Sequence, residues 1–306
     1  MNLIDRAYDA AAARIMRVRL RSKYFDHLSR ALLRFTDVQG GRLAAAIAYY
    51  DFFAVFALLL IGYSVFGFLI KANPDLFTVV QDFLRTNLPF IDIRQILDSG
   101  RTVGVVGLVG LIFTGIAWIE AIRSSQRAIW RLNQQPGYIG IRQAVDLVVL
   151  IGILLLIFAS ALAASGLEAL LRWLTGERPT LLLSTASVLL TLAINVLLAA
   201  ALLAAVPRLR MTVRRMVPPV LLVGVGITLL NTVGESVVGK VQHNPAYALV
   251  ASAVGVLLYL YVFNQLLLLG AAWAATSPHG RVVDLSADDK TAPVGQNTWI
   301  RHQRPQ

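Results

Sequence analysis

Long apolar runs alternate along the chain with short polar stretches rich in arginine. Six runs stand out, at 43–70, 103–122, 145–167, 181–206, 217–239 and 247–275, and together they cover close to half of the 306 residues. A helix needs about 20 apolar residues to cross a hydrocarbon layer about 30 Å thick. Each run meets that length, and soluble domains do not bury six of them. The pattern predicts an all-α polytopic membrane protein, a bundle of six transmembrane helices occupying 43–275. A basic region, 1–42, precedes it, and a polar, proline-containing tail, 276–306, follows and is expected to be mobile. The first run is far longer than the roughly 7–15 apolar residues of a signal peptide, so it is expected to stay as an anchor.

Composition agrees with this reading. Hydrophobic residues make up 57% and charged residues 15%, against roughly 45–50% and about 25% in soluble domains. The net charge of +11 and pI of about 10.4 would suggest nucleic acid in a soluble protein. Here the charge sets topology instead. Of the 28 Lys and Arg residues, 21 fall on one side of the predicted spans. Basic residues are retained on the cytoplasmic side, which predicts both termini inside. Trp130, Tyr138 and Trp273 then lie near the inner interface, and Trp173 and Tyr247 near the outer one.

Residues 1–42 carry two amphipathic patterns. Ile4, Tyr8, Ala11, Ile15 and Val18 follow helical spacing, and Phe25, Leu28, Leu32 and Phe35 repeat it before Gly40-Gly41. Such basic helices suit an anionic inner leaflet, where each Lys or Arg adds about 1 kcal/mol. The aromatics interleaved for base stacking in nucleic-acid grooves are missing. The first outer loop, 71–102, has two short apolar faces, Leu76, Val79, Val80, Phe83 and Leu84, then Ile93, Ile96 and Leu97.

No catalytic constellation is legible. The chain has no cysteine, and its four histidines, His27, His243, His279 and His302, show no metal-ligand spacing. There is no phosphate-binding glycine loop, no G-x-S-x-G elbow and no compact pair of carboxylates on an aqueous face. Neither an enzyme activity, a cofactor nor a metal is expected.

What the spans do contain is a small set of costly polar residues. A charge at the centre of a span costs at least about 2.5–3.5 kcal/mol on insertion scales. Asp51 lies about 12 Å into the first predicted helix, just after Tyr49 and Tyr50. Asn195, Asn231, Glu235, Asn264 and Gln265 occupy the last three spans. Asn264 sits at a depth comparable with Asp51, so the two meet if their helices are neighbours. Two readings stand side by side: a polar route for a substrate, or interhelical glue worth about 0.6 kcal/mol per contact.

Glu120 with Arg123, and Arg142 with Asp146, are spaced as structural helical pairs. The remaining basic residues of the inner turns, Arg127, Arg131, Arg208, Arg210, Arg214 and Arg215, with Arg123, are expected to fix topology or meet anionic head groups. Gly104, Gly107 and Gly110, and the pair Ala251 and Gly255, read as sites of close helix packing. Pro207 and Pro218-Pro219 are expected to bracket a turn.

These motifs resemble the BrkB/YihY family of bacterial inner-membrane proteins, and within it the YhjD branch. The likeness rests on Ala44-Ala45-Ala46-Ile47-Ala48-Tyr49-Tyr50 with Phe52-Phe53-Ala54-Val55-Phe56, and on Gly104, Gly107 and Gly110 leading to Trp118 and the basic turn at Arg123–Arg131. Leu258-Tyr259-Leu260-Tyr261 and Leu269-Gly270-Ala271 complete it. The chain departs from the family pattern at Ala57, where a proline is common, and at Ala272, where many members have an acid.

The resemblance implies a six-helix inner-membrane protein of envelope integrity, linked to serum resistance and to export of lipid A precursors or related lipids. It also brings a ribonuclease label, which the missing metal ligands do not support. The expected partners are therefore the bilayer, its anionic lipids and an envelope lipid substrate, and not nucleic acid. A membrane scaffold is the main alternative, followed by a small-solute secondary transporter.

Overall fold

A computed structural model describes residues 22–72, 93–135, 137–175, 181–241 and 245–286. The first amphipathic pattern, 4–18, the apolar face at 76–84 and the last twenty residues lie outside them. Helix α1 (Lys23–Asp37) precedes six long helices: α2 (Gly40–Ala72), α3 (Ile93–Ile129), α4 (Ile139–Thr175), α5 (Leu181–Ala200), α6 (Val213–Val241) and α7 (Pro245–Thr276). Ile93, Ile96 and Leu97 are the opening turns of α3 and not a separate surface segment.

All six long helices contain a stretch apolar enough to cross a membrane, with mean hydropathy of 1.9 to 2.6. Only 17% to 28% of each stretch is buried within the protein. Phe56, Leu59, Phe68, Phe113, Val148 and Leu155 are among the large apolar side chains that face outward. An apolar surface this extensive is what lipid covers, and it makes the chain an all-α polytopic membrane protein.

The packing between spans is closest at α2 and α3. A Cβ on Gly107 would stand 2.9 Å from Leu60 Cβ and 3.1 Å from the Ile61 backbone nitrogen. Only glycine allows the helices this separation, as expected for small-residue seams. Gly104 faces Ser64 in the same way, while Gly110 is in ordinary contact with Ala57. The Gly255 pattern has another outcome: nothing stands within 4 Å of its would-be Cβ, so this chain packs nothing against it.

The core lies toward the end where α2 begins and α3 ends. Ile47, Ile119, Ile122, Leu202, Leu203, Val223, Leu267 and Leu268 interdigitate there. Ala272 belongs to the same apolar cluster and is fully buried, which explains a small apolar residue at that position. Helix α5 ends in a π-helical turn, Ala201–Ala205, followed by β1 (Leu209–Met211).

Two expectations change here. The tail does not leave the bundle at Thr276. Strand β2 (Val282–Asp284) pairs antiparallel with β1, placing Leu209 opposite Asp284 and Met211 opposite Val282. Gly280, with φ of 76°, makes the turn into this strand, and a Cβ there would meet Thr212 Oγ1 at 2.7 Å. Pro218 and Pro219, expected at a helix end, lie inside α6 beyond its first turn. They cannot donate the backbone bonds of their turn, and Val213 to Val217 begin the helix before them.

Candidate functional site

Two polar regions lie within the bundle, one at its core end and one at membrane depth. The end is formed by the close of α3, the start of α4, the β1 connection and the tail. Arg123 of α3 is fully buried and grips Asp146 of α4 with two bonds, Nε to Oδ1 at 3.1 Å and Nη2 to Oδ2 at 3.0 Å. Its Nη1 donates to the Gln134 carbonyl at 3.0 Å. Arg208 adds a third bond to the Asp146 carboxylate, at 2.9 Å. Burial lowers the pKa of Arg208, and Asp146 acts in the opposite direction. Glu120 pairs with Arg123 at 3.8 Å, as its spacing predicts, and with Arg142 at 3.5 Å. The i,i+4 pair expected between Arg142 and Asp146 gives way to these cross-helix partners, because Asp146 turns inward toward α3.

One turn further along α3, Arg127 makes the same kind of bond to the tail. Its Nη1 and Nη2 donate to both oxygens of Asp284 at 2.9 and 2.7 Å. Nε reaches the Asn133 carbonyl at 2.6 Å, and Nη1 also reaches that of Pro207 at 3.1 Å. Between the two arginines, Gln126 donates to the Leu202 carbonyl at 3.0 Å, satisfying an acceptor in the π-helical turn. Arg215 of α6 donates to the carbonyls of Ala274 and Ala275 at the end of α7, at 2.8 and 3.1 Å, and lies over the Trp130 ring. Cations at a helix C-terminus are favoured by its exposed carbonyls and dipole.

Arg123, Arg127 and Arg215 are thus internal fasteners and do not face lipid head groups. Arg131 pairs with Asp37 at 2.7 Å on the surface. Arg210 and Arg214 are exposed, as is Arg42. Backbone strain collects at the same end: Gln39, Arg131 and Arg208 are non-glycine residues with φ between 55° and 59°, a conformation that costs about 1–2 kcal/mol each.

Helix α1 lies against α7 at this end. Ala31 is fully buried, and His27 stacks on Trp273 with its Nε2 3.0 Å from the Trp273 carbonyl oxygen. Burial lowers the His27 pKa from 6.5. Arg34 is pushed down to about 10 by burial and then by Arg131, so it stays cationic at neutral pH. Tyr24, Phe25, Leu32 and Leu33 face outward as an unburied apolar stripe.

At membrane depth the polar contacts are of a different kind. Asp51 of α2 accepts a hydrogen bond from the Asn264 amide of α7, and both residues are buried. The level matching read from the sequence therefore corresponds to a contact. They lie about 16 and 18 Å along their helices from the charged end. Asn264 also donates to the Leu260 carbonyl at 2.8 Å, while its own Oδ1 is buried without a partner. The Trp118 indole nitrogen of α3 is likewise buried without a hydrogen-bond partner.

Asn195 of α5 donates to Thr228 Oγ1 of α6 at 2.9 Å, about 15 Å from the same end. Tyr259 of α7 donates to Asn231 of α6 at 2.5 Å. Three pairs therefore join α2 to α7, α5 to α6 and α6 to α7. Tyr49 and Tyr50 stand apart from Asp51: they are exposed and pack edge-on with each other, and Tyr49 does so with Phe53. Gln265 is half-buried. The side chain of Glu235 lies outside the described residues.

Sequence reasoning missed Asp284, Gln126 and the π-helical turn. A signal for Asp284 existed: Arg123, Arg127, Arg131 and Arg142 have no acid between them, so burying any of them calls for a distant carboxylate. Among the described residues no cluster of three or more His, Asp or Glu side chains is placed to hold a metal.

Fold and polar framework together define a six-span helical membrane protein. Residues 31–294 match the family described as Virulence factor BrkB, and the chain belongs to that family. It is 27% identical over 276 residues to an uncharacterized protein of Dickeya dadantii (strain 3937), covering 82% of this chain and 83% of that one. It is 26% identical over 278 residues to Inner membrane protein YhjD of Escherichia coli (strain K12), covering 83% and 81%. No solved structure gives a significant match.

Proposed function

We propose that this BrkB-family protein is a non-enzymatic inner-membrane protein that assists the transport or placement of an envelope lipid or another amphiphile, with both termini in the cytoplasm. The observation that carries the reading is the set of polar pairs Asp51–Asn264, Asn195–Thr228 and Asn231–Tyr259 on four of the six spans. Ionisable and amide groups inside spans are costly, and they mark interior routes. Tyr49, Tyr50, Glu235 and Gln265 remain candidates along that route.

Arg210, Arg214 and Arg42, exposed at the charged end, suit phosphate-bearing head groups by charge-assisted hydrogen bonding. The apolar stripe of α1 suits the boundary between head groups and acyl chains. The name of the Escherichia coli relative supports the inner membrane as location, and the 21-to-7 distribution of basic residues supports cytoplasmic termini.

The test is a strain carrying Asp51→Asn with Glu235→Gln at unchanged levels of inserted protein. Increased sensitivity to bile salts is expected. A normal envelope in that strain removes the route.

A second reading, a membrane scaffold, is favoured by the same exposed stripe, Tyr24, Phe25, Leu32 and Leu33. It predicts that deletion of residues 1–36 abolishes function while the midplane substitutions are silent.

A further inference from the structure

Three carboxyl groups are buried among the described residues: Asp51, Asp146 and Asp284. Asp146 is held by Arg123 and Arg208, and Asp284 by Arg127. Asp51 differs from both. Its hydrogen-bond partner is the amide of Asn264, which carries no charge.

Among the described residues, no cation on the surrounding helices forms an ion pair with it. Helix α3 brings Glu120, Arg123 and Arg127, but these guanidiniums are engaged by Asp146 and Asp284. Helix α7 brings the phenols Tyr259 and Tyr261, and the Tyr259 hydroxyl is committed to Asn231. Helix α1 brings Tyr24, Asp26, His27, Arg30, Arg34 and Asp37, and α2 itself Arg42, Tyr49, Tyr50 and Tyr63. None of them forms an ion pair with Asp51.

From this geometry we infer that Asp51 is a proton-binding site: its carboxyl group holds a proton at neutral pH and gives it up only when water reaches the seam between α2 and α7. An isolated carboxylate in an apolar interior is too costly to persist and is relieved by taking up a proton. The seam also contains an acceptor that a carboxylic acid would satisfy. Asn264 is fully buried and its Oδ1 has no partner, beside a carboxyl group whose O–H would be a donor. Release leaves a carboxylate and a free proton, and the Asn264 N–H donor then stabilises the anion. The inference deepens the transport reading by naming the proton as the ion available for coupling, but its test does not require transport.

The full chain is purified and placed in vesicles of phosphatidylethanolamine and phosphatidylglycerol, and the carboxylic C=O stretch is followed by infrared spectroscopy against pH. The expected result is a protonated carboxyl band at neutral pH, equivalent to one group per chain. It should shift on labelling the aspartate carboxyl carbons with carbon-13, and be lost in Asp51→Asn. Asp51→Glu should retain the band at a changed frequency, which covers the case in which Asp51→Asn fails to fold. A wild-type spectrum without an aspartate-derived band at neutral pH, or a band unchanged in a folded Asp51→Asn protein, overturns the inference.

The two readings separate cleanly. A band lost in Asp51→Asn with a normal envelope leaves the proton site standing and removes the route. An envelope defect without the band does the reverse.

Discussion

Arg127 and Asp51 are both buried ionisable groups on neighbouring helices, yet their surroundings differ in kind. Arg127 spends its donors on a carboxylate and two carbonyls. Asp51 meets only neutral dipoles. Around Arg127 the chain has assembled a carboxylate from a tail strand more than 150 residues away and carbonyls from the connections that follow α3 and the π-helical turn. Such arrangements define one geometry, because each partner left alone is a buried charge. Around Asp51 the contacts are single hydrogen bonds between spans, individually weak in a bilayer. The first region fixes the fold. The second holds, on the inference drawn above, a side chain whose protonation state alters its hydrogen bonding to Asn264.

The sharpest way to break this contrast is Asp284→Ala, which strands Arg127. A loss of about 3–5 kcal/mol is expected, read from thermal or denaturant unfolding in detergent. Replacing both partners, Arg127→Met with Asp284→Leu, should restore most of it. A small effect of the single change would place the end and the middle in the same class.

Next in size, Gly107→Ala forces apart the α2–α3 seam and should cost about 1–3 kcal/mol. The same change at Gly255 meets open space and should leave stability equal or slightly improved by helix propensity. Asn195→Ala removes one midplane bond and should cost only about 0.6 kcal/mol in the same unfolding measurement.

The smallest effect concerns α1. Burial holds the pKa of His27 below 6.5 in the docked helix, so the undocked state binds more protons. Docking is therefore complete above 6.5 and weakens as pH falls from there toward the lowered value. A fluorophore on α1 should report this release, and His27→Gln should flatten its pH dependence.

Helix number was legible because lipid imposes length and apolarity on every span, a constraint read directly from composition. The contact of Asp51 with Asn264 was legible for a related reason. Depth along a straight helix is arithmetic, and a bilayer leaves few places for a polar group to find company. The charged end was not legible. Its partners are set by which turns cross which helix ends, so Asp146 goes to Arg123 and not to Arg142 in its own helix. Asp284 stood in a stretch whose composition resembles a solvated tail, and three residues of strand leave almost no periodic signal. The arginines were found by sequence, but the burial of Arg127 rests on the tail strand that neutralises it.

The Asp284 bond also has a temporal meaning. Ribosomes deliver α3 long before the last strand, so Arg127 enters the bilayer's edge with its counter-ion still unmade. The nascent protein neutralises Arg127 only when strand β2 has been translated and has folded back onto β1. Chains terminated early, even after all six spans, would keep an uncompensated cation at their heart, and membrane proteases would find them by that instability.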